Sequence, residues 1–330
     1  MSNPTEEKQA KSAKKTTLSL IVNNHEFTIA AFLIIMVVVF SVVTNSFMTI
    51  NNILNILNQT SITFIMAAGM TFVMICGGID LSVAAIMTLA GIISTSMIAK
   101  GINFWLVILV TIFVGILCGM VNGVMTAKIG IVDFIATLAM QLVCHGITYT
   151  WTGGYPIFEN LTAQFKFLGQ GRILGIPFLV IIALIVFVIV HITLSQCQFG
   201  SKLYATGGNK EASRLSGINV AKIKIMTFVI SGGLAAFAGI LMASRLGSGQ
   251  PTAGETLLND VIGSTILGGT SPNGGVGKVH GTLMGALIFT VITSGLTHLQ
   301  VNSYVQEIVR GIIILLALAL NAYRERIGAK

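Results

Sequence analysis

Between Glu26 and Lys100 the chain carries a single charged residue, Asp80. A run of that length without charge is incompatible with the surface of a soluble domain, where roughly 25% of residues are charged. It is long enough for several membrane crossings, each needing about 20 mostly apolar residues. The bias holds along the whole chain: 54% of its 330 residues are hydrophobic and only 9% are charged. The sequence therefore predicts an all-α polytopic membrane protein. The net charge of +8 then reports basic cytoplasmic loops and tails rather than a nucleic-acid partner.

Apolar runs place spans at residues 27–43, 61–76, 81–99, 104–124, 134–151, 176–194, 225–244, 255–267, 279–299 and 304–323, about ten in all. The eighth is short and fits either a full span or a half-helix. Residues 1–26 are polar, carry Lys8, Lys11, Lys14 and Lys15, and lack the apolar core of a secretory signal. They read as a disordered cytoplasmic tail, residues 27–323 as a transmembrane domain, and residues 324–330 as a second cytoplasmic tail. With the N-terminus inside, the tail lysines, Lys128, the basic residues of 195–224, Lys278 and the C-terminal Arg324, Arg326 and Lys330 all fall inside. Only Lys100, Lys166, Arg172 and Arg245 fall outside, so the positive-inside rule puts both termini in the cytoplasm.

One stretch, 195–224, breaks the apolar pattern. It holds Lys202, Lys210, Arg214, Lys222 and Lys224 against a single acid, Glu211. Local chemistry predicts a short helix in it. Asn209 is a good N-cap, Glu211 suits the positive N-terminal end of the dipole, and Gly217 can take the left-handed position that ends a helix. Two turns alone are marginal in water, so the helix must lie on something. The same signals fit a capped surface helix in a connecting loop and a docking surface for a soluble cytoplasmic partner.

No catalytic constellation is present. Cys76, Cys118, Cys144 and Cys197 fall in different segments and form no C-x-x-C pair, which fits free thiols better than disulfides or a metal site. The histidines are scattered, and His145, inside an apolar run, reads as a helix-packing hydrogen-bonder. The stretch 272–278, PNGGVGK, imitates a phosphate loop but has Pro272 at the first glycine and Val279 at the hydroxyl position. ATP is thus not expected to bind here. Asp80 and Asp133 stand at span starts and read as helix N-caps. Arg310 lies about two turns into the last span, where a lone charge costs around 3 kcal/mol. Glu307, on the same helix face, and Asp260 are its candidate partners, in a structural pair or on a transport path. Gly115, Gly119 and Gly123, and again Gly281 and Gly285, mark close helix contacts. A segment–Gly-Gly–segment pattern around Gly77 and again around Gly268 suggests a weak internal repeat.

Five stretches together resemble the permease subunits of ATP-binding-cassette importers for ribose, arabinose and xylose, the ribose type above all. They are 50–83 (INNILNILNQTSITFIMAAGMTFVMICGGIDLSV), 134–140 (FIATLAM), 207–225 (GGNKEASRLSGINVAKIKI), 244–254 (SRLGSGQPTAG) and 267–288 (LGGTSPNGGVGKVHGTLMGALI). The resemblance implies the importer permease fold in the bacterial inner membrane. It also implies a coupling helix of E-A-A-x-x-x-G pattern, matched by Glu211, Ala212, Ser213 and Gly217 with serine at the third position. Asn209, Glu211, Ala212, Ser213, Arg214 and Gly217 would then meet a separate ATPase subunit, which alone uses ATP and Mg. The implied partners are that ATPase, a periplasmic sugar-binding protein seated on 152–175 and 244–254, a second permease copy in a homodimer, and membrane lipid. No cofactor is expected on this chain. Sugars are neutral, so the path needs hydrogen-bonding groups; Asn122, Thr137, Gln141 and Asn259 are candidates, with Asp260, Glu307 and Arg310. Glu255 and Glu307 depart from what a ribose permease would carry. An ion-coupled sugar carrier is the alternative, and a passive channel a further one, and the basic stretch argues against both.

Overall fold

A computed structural model describes residues 25–328, with side chains over 27–319. The expected N-terminal tail, but for its last two residues, lies outside the described residues. The helices are α1 (His25–Val43), α2 (Ile50–Ile75), α3 (Val83–Ala99), α4 (Phe104–Val124), α5 (Asp133–Thr152), α6 (Ala163–Gln170), α7 (Phe178–Ser195), α8 (Gln198–Gly208), α9 (Lys210–Leu215), α10 (Val220–Leu246), α11 (Leu257–Leu267), α12 (Val279–His298) and α13 (Ser303–Gly328). A π-helical turn, Met125–Ile129, closes α4, and a two-stranded antiparallel hairpin, Arg172–Ile173 with Ile176–Pro177, precedes α7. Among the described residues, five helices are long and apolar enough to cross a membrane: α2, α4 with its π-turn, α7, α10 and α12. α1, α3 and α11 contribute shorter apolar runs.

Three segments differ from the sequence expectation. α2 begins at Ile50 rather than near residue 61. Its polar first turns stay helical because Thr49 caps them and Asn52 is buried, donating to Phe47 O (2.8 Å) and accepting from Ser294 Oγ (2.9 Å). The segment 152–175, read as a loop, contains α6, capped by Thr162 and anchored by buried Phe165. At the other end of the chain, α13 continues to Gly328, past the expected end of the last span at residue 323.

α10 is the central post, packed on α4, α3 and α2. The glycine ladder of α4 makes this possible. Gly115 meets Gly232 and Ala236, Gly119 meets Phe228 and Val229, and Gly123 meets Ile225, each with no room for a Cβ. Lipid supplies no hydrophobic drive between helices, so close backbone approach supplies the packing instead. Gly281 and Gly285 of α12 lie in the same way against Gly268 and Ser264.

Two crossings are broken. After α2 the buried, irregular stretch 77–82 leads into α3, with Asp80 and Ser82 wholly buried. After α10 the chain runs irregularly along α3, Gly249 beside Thr95 and Gly254 beside Ala84 and Thr88, before α11 starts. α11 has 11 residues, about 16 Å of helix, roughly half a bilayer core. The irregular approach precedes it along α3. Non-helical backbone at membrane depth is tolerated where protein buries it. Gly77 meets Asn273 and Gly274, while Gly268 packs on Gly281, so the first glycine break meets the 272–278 turn rather than the second break.

Candidate functional site

α9 is built by its own sequence. Asn209 Oδ1 accepts from Ala212 N (2.9 Å), Glu211 sits in the first turn and Arg214 in the last. Gly217, at φ 79°, ends it in a Schellman motif: Gly217 N donates to Arg214 O and Ile218 N to Ser213 O, both 3.0 Å. Ser213 is buried beneath the helix, while Lys210, Glu211, Ala212, Arg214 and Leu215 face outward. Leu215 is 82% exposed, an apolar knob among charges.

The helix rests on a firm base. α8 is anchored by buried Leu203 and by the Phe199–Phe72 ring contact (6.1 Å). Tyr204 OH donates to Gly277 O (2.7 Å), and burial raises its pKa. Gly207 lies on Ile75 O with no space for a Cβ, and Gly275 N donates to Ile75 O (2.9 Å). The stretch 272–278 is thus a glycine-rich turn wedged between α8 and α2. On its other side the short connection 216–219 joins α9 to α10, which Asn219 caps.

Above this base lies a buried polar network. Asp80 Oδ1 accepts from Ser82 N (3.0 Å) and Ser82 Oγ (2.6 Å), and Oδ2 from Ser231 Oγ (2.9 Å) of α10. Asn122 Nδ2 donates to Ser82 Oγ (2.9 Å), and Thr137 Oγ1 to Asp133 O (2.8 Å). Asp133 pairs with Lys224 Nζ at 2.5 Å. Neither aspartate is the helix N-cap expected of it. α3 starts after Ser82 with Asp80 in the turn before it, and α5 is capped by Val132 with Asp133 in its first turn. Both carboxylates serve contacts between helices instead.

Comparison with known proteins decides the family. The model described as branched-chain amino acid transport system / permease component matches residues 52–318. The ribose import permease of Haemophilus influenzae is 43% identical over 88% of this chain and 91% of that protein. The one from Bacillus subtilis is 43% identical over 88% and 90%. The galactose/methyl galactoside import permease of Escherichia coli is 34% identical over 84% and 88%. The chain belongs to this permease family. No solved structure matches it.

The permease residues named as path candidates do not form one site. Asn122 and Thr137 belong to the network just described. Asp260 and Arg310 form a second group, with Arg310 Nε 3.6 Å from Asp260 Oδ1 and Arg310 donating to Thr293 Oγ1 (3.2 Å). Glu307 is exposed and takes no part, because Asp260 on α11 offers Arg310 a buried partner. Gln141 is half-buried on α5, and Asn259 is exposed on α11. Sequence reasoning missed Leu215, whose exposure only the end of so short a helix creates. It also misread His145, which is exposed and lies 4.5 Å, ring to ring, from Tyr149. Tyr149 OH donates to Glu255 Oε1 (3.1 Å). Cys118 and Cys144 come within 4.0 Å on neighbouring helices as free thiols. Among the described residues no cluster of His, Cys, Asp or Glu could hold a metal ion.

Proposed function

We propose that this permease is the membrane subunit of an ATP-driven importer that carries a monosaccharide, ribose or a sugar of similar size, across the bacterial inner membrane. The observation that carries the reading is α9, a doubly capped, outward-facing helix set on the end of the central post, in a chain 43% identical to ribose import permeases. A separate ATPase subunit docks on Asn209, Glu211, Ala212, Ser213, Arg214 and Gly217, with Leu215 entering its cleft. ATP and Mg stay with that subunit, and this chain performs no catalysis. Closure of the ATPases pushes α9 and, through Asn219, α10. Both termini lie in the cytoplasm, with about ten crossings. A periplasmic binding protein seats on the opposite end, where Ile157 and Gly249 exchange backbone hydrogen bonds and Ser244 accepts from Gly169 N (2.7 Å). Two copies of the chain form the complex.

The family description names amino-acid transport, while the curated relatives are sugar permeases. The sugar reading rests on the curated relatives, since the buried network mixes hydroxyls and an amide with Asp80 and the Asp133–Lys224 pair. Ion coupling has less support: Asp80 is saturated by serines, Asp133 holds Lys224 and Asp260 holds Arg310. The test is copurification from native membranes followed by uptake in proteoliposomes. The expected result is an ATPase in the eluate, lost on combined Glu211→Lys and Arg214→Glu, and ATP-dependent uptake of ribose but not leucine. Uptake with no ATPase present would overturn the reading.

A further inference from the structure

We propose that Gln141, His145 and Tyr149 of α5, together with Glu255, form the wall of the substrate path along the second half of that helix and contact the hydroxyls of an uncharged, polyhydroxylated substrate. This deepens the importer reading and rests on it.

Four observations carry the inference. Gln141, His145 and Tyr149 are spaced four apart on α5, so they climb one face of the helix. His145 and Tyr149 are in ring contact, and Tyr149 donates to Glu255, 106 residues later in the chain. His145 and Glu255 are exposed on the isolated chain, and Asn259, one turn beyond Glu255, is exposed too. Leu138 within this stripe and Leu142 beside it are exposed and apolar, as are Val143 and Ile147 further round the helix, so the polar groups stand out from an otherwise apolar exposed face.

The depth of Glu255 makes the exposure informative. α10 has 27 residues and so runs about 40 Å from end to end. Its Ser231 bonds Asp80 and its Gly239 packs on Met87 and Ala90, which sets the first turns of α3 near the middle of that post. Gly254, adjacent to Glu255, lies on Ala84 and Thr88 of those same turns. Glu255 therefore lies alongside α3, within the height of α10 and beside Tyr149 in the last turn of α5. A carboxylate at that height faces protein or water, not lipid. The irregular approach to α11 exposes the same thing, since unpaired backbone is tolerated only inside protein or along a water-filled cavity.

The side chains match the chemistry of a sugar. A carboxylate accepts from two hydroxyls, a glutamine amide both donates and accepts, and a tyrosine ring offers an apolar face beside a polar tip. The hydrogen bond from Tyr149 holds the Glu255 carboxylate in place and leaves its other oxygen open.

Two measurements on the reconstituted complex of permease, ATPase and binding protein test this. In the first, Glu255→Gln and Tyr149→Phe should each lower sugar uptake about tenfold, as loss of a hydrogen bond to a charged group does, while ATP hydrolysis stimulated by the loaded binding protein is retained. In the second, Gln141→Cys, His145→Cys and Tyr149→Cys should react with a small, water-soluble thiol reagent and be protected by ribose-loaded binding protein, while Leu184→Cys and Val188→Cys on α7 should not react. Absence of labelling at the three α5 positions overturns the proposal, whatever the transport variants do. Unchanged uptake in both variants overturns it as well. If the wild-type complex carries no sugar but the α5 positions label, the importer reading fails and the water-lined wall stands.

Discussion

Arg310 directs its guanidinium to Asp260, Nε to Oδ1 at 3.6 Å, and leaves Glu307, one turn earlier on its own helix, exposed. The pair ties the short helix α11 to α13, and Thr293 of α12 accepts from the same guanidinium. Asp260 is buried and Arg310 mostly so, at 9% and 13% side-chain exposure. Removing one partner strands the other charge. Arg310→Leu should therefore cost about 3–5 kcal/mol, read as a lower unfolding midpoint in detergent and poor insertion. Arg310→Leu combined with Asp260→Asn should recover most of the loss. A single variant as stable as wild type would show the pair to be dispensable.

Gly217→Pro should uncouple ATP hydrolysis from uptake while leaving the chain inserted. Proline fixes φ near −65° and has no N–H. The native residue stands at φ 79° and donates to Arg214 O. Both ends of the Schellman motif are lost, and α9 loses its fixed exit into α10. Normal binding-protein-stimulated uptake in this variant would remove α9 from the coupling path.

Gly207→Ala and Gly208→Ala make a matched test of the base under α9. A Cβ on Gly207 would collide with Ile75 O and crowd Gly275 N, whereas one on Gly208 meets nothing within 4 Å. Overpacking of this kind costs roughly 1–3 kcal/mol. The first variant should melt several degrees lower, and the second should match wild type. Equal melting temperatures would mean that the glycine junction yields freely.

The ion pair of Asp133 with Lys224 has a direction built into it. Asp133 is in the first turn of α5, where a carboxylate suits the helix dipole. Asp133→Asn should destabilise the protein by about 1–3 kcal/mol by leaving Lys224 without its acceptor. The exchange Asp133→Lys with Lys224→Asp should restore the pair incompletely, because a cation then sits at the N-terminus of α5. Full recovery would show that pairing alone matters. Thermal unfolding at low and high salt separates the two outcomes.

Some of this protein was legible before any coordinates. The capped helix α9 follows from Asn209, Glu211 and Gly217, since every one of its caps is closed by residues within five positions of one another. The glycine ladders of α4 and α12 marked close contacts correctly, because small residues in lipid have few other uses. The start of α2 was missed because Asn51, Asn52 and Asn55 look like a turn until Ser294, from a distant helix, satisfies Asn52.

The candidate path was the least legible part. Gln141 was named from its polarity alone, and His145 and Glu255 were set aside. What joins them is Tyr149, bonded to a residue 106 positions away on an irregular strand of chain that descends along α3. The choice of Asp260 over Glu307 by Arg310 has the same origin. The sequence by itself determined which segments are apolar, where short helices begin and stop, and which helices carry smooth contact faces, because those depend on residues a few positions apart. Only the tertiary structure decided which polar groups meet at membrane depth. A buried charge or amide takes whichever partner the neighbouring helix presents, and that neighbour is fixed by packing, not by proximity along the chain.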